Sequence, residues 1–168
     1  MSAHEVRWGN GTAEEIAKRF EGHAAKIERG NADSFAAAML SLLRFCDRQA
    51  HLPLNREGLD AFKRTVVERL APFTDRIAHY ATCIGNDAAQ ARDEDEVEDL
   101  CQRRSAIQIV LDDYPRLASE ISSEILAHVD TELRRVCELY PVSDPDAAPH
   151  GITASHWWWT THESGESS

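Results

Sequence analysis

The chain has 168 residues, 42% of them hydrophobic, and a formal net charge of -11, values typical of a single globular domain with its own hydrophobic core. The negative charge argues against nucleic-acid phosphates and anionic lipids as partners. No apolar run approaches the roughly 20 residues that a membrane helix needs, and the N-terminus lacks the basic start and apolar core of a secretory signal. We therefore expect a cytoplasmic protein that binds neither nucleic acid nor membranes.

Helix signals begin close to the N-terminus. Thr12 and Glu15 have the spacing of a capping box, which marks a helix start, and apolar residues then recur on one helical face as far as Gly30. Residues 34–49 are apolar nearly all round, which a helix tolerates only when neighbours cover several of its sides. This second helix is therefore predicted at the centre of a bundle, ending before Pro53.

A third stretch of helical periodicity starts at Asn55, a typical cap residue. Its apolar stripe crosses Pro72 without losing phase. This pattern fits one long helix kinked at the proline, or a new helix that begins at Thr74. Gly85 is predicted to end it.

The remaining part of the body also has a helical pattern. The acid-rich residues 93–99 suit the first turns of a helix, because the N-terminal end of the helix dipole is positive. Pro115 is predicted to start the last helix, and Pro141 to close it. The sequence thus predicts an all-α fold, an antiparallel bundle of five or six helices over residues 1–140.

Residues 141–168 differ in composition and are predicted to form a Pro/Asp linker followed by a non-helical tail that contains tryptophan. Three consecutive tryptophans, Trp157 to Trp159, cannot share one helical face, so an extended form is expected. Exposing all three indoles would leave a large apolar patch. The tail is therefore expected to dock in a groove of its own bundle, in another protein, or in the second subunit of a homodimer that exchanges tails.

Charge placement suggests how a partner would be recognised. Residues 71–168 carry 19 acidic against 7 basic side chains, so the entire negative excess lies there. An acidic helical surface steers a basic protein toward it, and tryptophans are common binding anchors. The preferred function is a non-enzymatic protein-protein interaction module, such as an adaptor, inhibitor or immunity-type protein. Its predicted partner-binding residues are Asp93, Glu94, Asp95, Glu96, Trp157, Trp158 and Trp159.

The alternative is a metal-dependent helical-bundle enzyme with a divalent transition metal. A histidine follows a carboxylate by four residues at three places, Asp47 with His51, Asp75 with His79, and Glu124 with His128. This spacing puts both groups on one helical face, within reach of a shared cation. The metal ligands assigned to this alternative are His79, His128 and Glu124. The three tail histidines His150, His156 and His162 are a further candidate set for a transition metal.

Overall fold

Seven α-helices and three short 3₁₀ turns make up the computed structural model, which describes residues 2–31 and 33–160. The helices are α1 (Ala3–Trp8), α2 (Ala13–Glu28), α3 (Asp33–His51), α4 (Arg56–Leu70), α5 (Thr74–Ala88), α6 (Glu94–Asp113) and α7 (Ser123–Leu139). The 3₁₀ turns are Ala71–Phe73, Pro115–Ala118 and Trp157–Trp159. The predicted all-α bundle is confirmed, and the described residues contain no strand. No described helix is long and apolar enough to cross a membrane.

Side-chain caps fix the starts of the first two helices. The Thr12 hydroxyl accepts a hydrogen bond from the Glu15 amide at 3.1 Å, so the predicted capping box is present at the start of α2. Ser2 and Glu5 form the same motif at the start of α1, a helix that was not predicted. Its signal was present in the sequence, in the same four-residue spacing.

The core is centred on α3, as the all-round apolar composition of that helix predicted. It packs against α2 and α6, and both Met39 and Leu43 are fully buried. Phe45 of α3 stacks on Phe62 of α4 with ring centroids 3.8 Å apart, while Phe20 of α2 meets Phe62 edge-on. These rings join three helices into one apolar cluster.

Two prolines, Pro72 and Pro115, each interrupt the helical pattern with a 3₁₀ turn. At Pro72 the chain forms a 3₁₀ turn, and α5 begins at Thr74, so the two helices are separate. Pro115 likewise opens a 3₁₀ turn, and not the last helix as predicted. That helix, α7, begins after Ser122, whose hydroxyl accepts a hydrogen bond from the Ile125 amide.

The predicted end of α5 at Gly85 is wrong, because the helix continues to Ala88. Gly85 is buried where α5 packs against α7. A Cβ atom at this position would lie 2.7 Å from the His128 ring and 3.5 Å from the Val129 backbone. The glycine therefore allows close packing of two helices, a role that a sequence pattern does not distinguish from a helix stop.

Residues 141–160, called here the C-terminal segment, follow α7 and pack back on the bundle. Val142, Ala147 and Trp158 are buried in the same core as the helices. The extended form predicted for the tryptophans is wrong, since Trp157–Trp159 is a 3₁₀ turn. Three residues per turn send the three indoles in different directions, so that Trp158 and Trp159 are buried while Trp157 stays partly exposed.

Candidate metal centre

Four potential metal ligands meet where both ends of the chain lie against α3. His4 comes from α1, Asp47 and His51 from the end of α3, and His150 from the C-terminal segment. One ligand atom of each lies within 4.8 Å of the corresponding atoms of the others. Asp47 and His51 share a face because they are four residues apart on a helix, whereas His4 and His150 are brought to them by the fold.

The Asp47 carboxylate is the centre of this cluster and is fully buried. Its Oδ1 accepts a hydrogen bond from the His150 backbone amide at 2.7 Å and lies 2.8 Å from His4 Nε2. Removing a carboxylate from water is costly unless charge or hydrogen bonds compensate it. The cluster therefore places a buried negative charge among three imidazoles.

Two buried polar atoms of the cluster, Asp47 Oδ2 and His4 Nδ1, have no hydrogen-bond partner within residues 2–31 and 33–160. The guanidinium of Arg48 comes within 3.7 Å of Oδ2, as an ion pair without a hydrogen bond. In the neutral tautomer that carries its proton on Nε2, His4 donates to Asp47 and its Nδ1 has a free lone pair. Unsatisfied buried acceptors of this kind are rare in folded proteins and are suited to a cation.

The rings of His4 and His150 are stacked, with centroids 3.9 Å apart and planes within 7° of parallel. His150 Nδ1 is also in hydrogen-bond contact with His51 Nε2. Nitrogen lone pairs lie in the ring plane, so two stacked imidazoles bind one ion only after one of them turns. The His150 side chain is 49% exposed, and rotation about its Cβ–Cγ bond needs no rearrangement of the core.

The chemistry of the neighbouring groups favours nitrogen and carboxylate ligands. Burial lowers the pKa of His150, as do the nearby His4 and His51, while Asp47 raises it; neutral imidazole is the form that binds metals. Burial raises the pKa of the Cys46 thiol to about 11, and its Sγ lies 3.5 Å from the carbonyl oxygen of Gly151 as a donor. Cys46 is therefore a protonated thiol in the metal-free protein, and it is not a member of the four-residue cluster.

The predicted metal ligands lie elsewhere. His79 is on α5, 3.4 Å from the Cys83 sulfur, while Glu124 and His128 are on α7. Within residues 2–31 and 33–160, none of these three belongs to a group of three or more potential ligands. Of the tail histidines, His150 joins the cluster, His156 is buried elsewhere, and His162 lies outside the described residues.

The C-terminal segment has a second anchor at Ser105 of α6, a residue that the sequence did not single out. The Ser105 hydroxyl oxygen accepts hydrogen bonds from Trp158 Nε1 at 3.0 Å and Trp159 Nε1 at 2.8 Å. Its proton is donated to His156 Nδ1, 2.8 Å away. Burial lowers the pKa of His156 to about 4, so the imidazole is neutral and free to accept. All hydrogen-bonding capacity of one hydroxyl is thereby used.

Two arginines also contact the 3₁₀ turn Trp157–Trp159, called here the tryptophan turn. Arg104 lies over the Trp158 ring at 4.6 Å and forms a bidentate ion pair with Asp130 of α7. Arg134 of α7 lies over the Trp157 ring at 4.7 Å. Such cation-π contacts favour these ring positions and fix the turn across α6 and α7.

The predicted partner-binding residues differ in how exposed they are. Asp93, Asp95 and Glu96 are exposed at the start of α6, whereas Glu94 accepts hydrogen bonds from Ser143. The Trp158 and Trp159 rings are buried against the chain's own helices, so a partner reaches them only after the C-terminal segment detaches. That these residues bind a partner stays a prediction.

Comparison with known proteins gives no match, whether to a family model, to a curated protein or to a solved structure.

Proposed function

We propose that this chain binds a divalent transition metal, zinc in the first instance, through His4, Asp47, His51 and His150. The observation that supports the proposal is the buried Asp47 carboxylate, which has three imidazoles around it and one oxygen without a hydrogen bond from the described residues. Imidazole suits zinc, copper, nickel and iron better than magnesium or calcium. A set of three nitrogens and one oxygen matches the four-coordinate preference of zinc.

The distances are compatible with such a site once the His150 ring turns out of its stack on His4. Bonds of about 2.0–2.2 Å in a tetrahedron place the ligand atoms about 3.3–3.5 Å apart. The present separations are all within 4.8 Å, and both His51 and His150 are exposed side chains, so they can turn without rearrangement of the core. The buried Asp47 and the mostly buried His4 supply the fixed half of the site.

The ligand set favours a structural role for the ion over a catalytic one. Four protein ligands fill a tetrahedral shell, whereas catalytic zinc sites keep one position open for water or substrate. Asp47 is 43 residues from His4 and 103 residues from His150. The ion would therefore tie the two ends of the chain to the central helix.

Zinc titration of the purified full-length protein tests this proposal. We expect one equivalent to bind, and His51→Ala to weaken binding at least about 10–100-fold, because even groups that only support a zinc ligand have effects of that size. His51 is exposed, so its removal leaves the core intact. Isothermal titration calorimetry gives both stoichiometry and affinity.

The control is His79→Ala, because His79 is also exposed and also follows an aspartate by four residues. Zinc affinity is expected to stay unchanged in this variant. Equal affinities of the wild-type protein and His51→Ala, or a loss of binding in His79→Ala alone, would contradict the proposed site.

A protein-interaction function is a second proposal, supported by the exposed acids at the start of α6. Asp95, Glu96 and Asp99 border a surface cavity of about 650 Å³ whose lining also includes Arg92 and Arg103. Exposed charge of this kind acts mainly on association rates and on partner choice. The two functions are compatible, because the acidic surface and the metal centre use different residues.

A further inference from the structure

We propose that the metal acts as a latch that holds the C-terminal segment on the bundle, so that loss of the ion favours release of the tryptophan turn. This inference rests on the proposed metal function and adds a consequence for regulation. His150 is the one proposed ligand that belongs to the C-terminal segment, and it lies between the two parts of that segment that are buried in the core.

Other contacts of the segment are distributed on both sides of His150. Before it, Trp8 Nε1 of α1 donates a hydrogen bond to the Ala147 carbonyl at 3.1 Å. After it, Gly151 lies against the Cys46 backbone, and the tryptophan turn donates two hydrogen bonds to Ser105. An ion held at His150 therefore acts at the middle of the docked chain, where it restrains both parts.

Thermodynamic linkage gives the direction of the effect. All four ligands are together only when the segment is docked, since a detached segment takes His150 away and leaves three. The ion then binds the docked state more tightly, and by the same factor it shifts the equilibrium toward docking. When free metal exceeds its dissociation constant 100-fold, docking is favoured by up to about 100-fold relative to the metal-free protein.

Release would change the surface of the protein in a defined way. Trp158 is 1% exposed and Trp159 is 5% exposed in the docked state, and detachment would bring both indoles into water. It would also uncover Arg104 and Ser105 on α6, which are buried beneath the turn. Docking and release are therefore distinguishable by amide exchange across residues 142–160 and by indole fluorescence.

Hydrogen exchange of the full-length protein, followed by mass spectrometry, tests the latch. We expect saturating zinc to slow exchange across residues 142–160 by up to about 100-fold in the wild-type protein. In His150→Ala, zinc that still binds the remaining three ligands is expected to give these amides no added protection. Zinc binding is measured on the same samples by calorimetry.

The possible results separate the latch from the metal site. If zinc binds the wild-type protein but leaves exchange of residues 142–160 unchanged, the latch is wrong and the proposed function stands. If zinc fails to bind, both are wrong. If His150→Ala retains the full zinc-dependent protection, the latch is again wrong, because the protection does not pass through His150.

Gly151→Ala provides an independent test from the opposite direction. Gly151 has a φ of +77°, and a Cβ there would lie 3.0 Å from the Cys46 carbonyl oxygen, so alanine loosens docking without replacing a ligand. If exchange shows the segment detached in this variant without zinc, zinc affinity is expected to fall in proportion to the remaining docked fraction, toward the affinity of the three other ligands. An undiminished affinity in a variant with a detached segment would overturn the latch.

Discussion

Replacing Ser105 with alanine is expected to detach the tryptophan turn while the helical bundle stays folded. The Ser105 side chain is fully buried and is the shared partner of Trp158, Trp159 and His156. Alanine would leave two indole N–H groups and one imidazole nitrogen buried without partners, at about 1–3 kcal/mol each. Detachment returns all three groups to water, so the segment is expected to leave before the bundle unfolds.

Tryptophan fluorescence measures detachment of the turn, and circular dichroism measures whether the helices stay folded. Ser105→Ala should shift tryptophan emission to longer wavelength and speed exchange in residues 142–160, with little change in helical signal. Ser41→Ala is a matched control, since Ser41 is also a buried helical serine but its hydroxyl donates to the Ala37 carbonyl of its own helix. A Ser105→Ala protein with wild-type emission and exchange would show that this hydroxyl does not hold the segment.

Lowering the pH from about 6.5 to 4 in metal-free protein is expected to weaken docking progressively. The pKa of His156 is lowered from its ordinary 6.5 to about 4, mainly by burial and in part by nearby Arg104, while Asp112 opposes the shift. A proton therefore binds the detached state more tightly than the docked state. The contribution of neutral His156 is complete above pH 6.5 and is lost as the pH falls, by up to tenfold per unit and roughly two orders of magnitude in all.

Exchange rates of residues 142–160 across this pH range, corrected for intrinsic chemistry, measure the effect in the wild-type protein and in His156→Gln. Glutamine retains an acceptor for Ser105 but does not titrate, so its docking should vary less with pH. The ion pair of Asp144 with Arg7 contributes little here, because Arg7 lowers the pKa of Asp144 below its ordinary 3.8. Identical pH profiles for the two proteins would exclude His156 as the titrating group.

Helix positions were predictable because their causes are local. Thr12, Asn55 and Asp93 cap α2, α4 and α6 as their residue types indicate, and the apolar run of α3 correctly placed it in the core. Two of the errors have tertiary causes. Gly85 lies inside a helix because α7 packs closely there, and the tryptophans form a turn because the surface of α6 and α7 receives two of their rings.

The candidate metal centre was predictable only in part. The Asp47 and His51 pair was visible, but the same spacing occurs with His79 and with His128, and nothing local separates the three pairs. What selects one pair is the topology that brings His4 and His150 to the end of α3. Contacts over 43 and 103 residues leave no periodic trace in the sequence. The three partners of Ser105 were hidden for the same reason.

X-ray crystallography of the full-length protein grown with one equivalent of zinc gives the most direct test of the metal centre, by anomalous diffraction at the zinc edge. One anomalous peak is expected among His4, Asp47, His51 and His150, at about 2.0–2.2 Å from each ligand atom. A peak at His79 or His128 in its place would contradict the proposed site. So would the lack of a peak among His4, Asp47, His51 and His150 in crystals soaked with excess zinc.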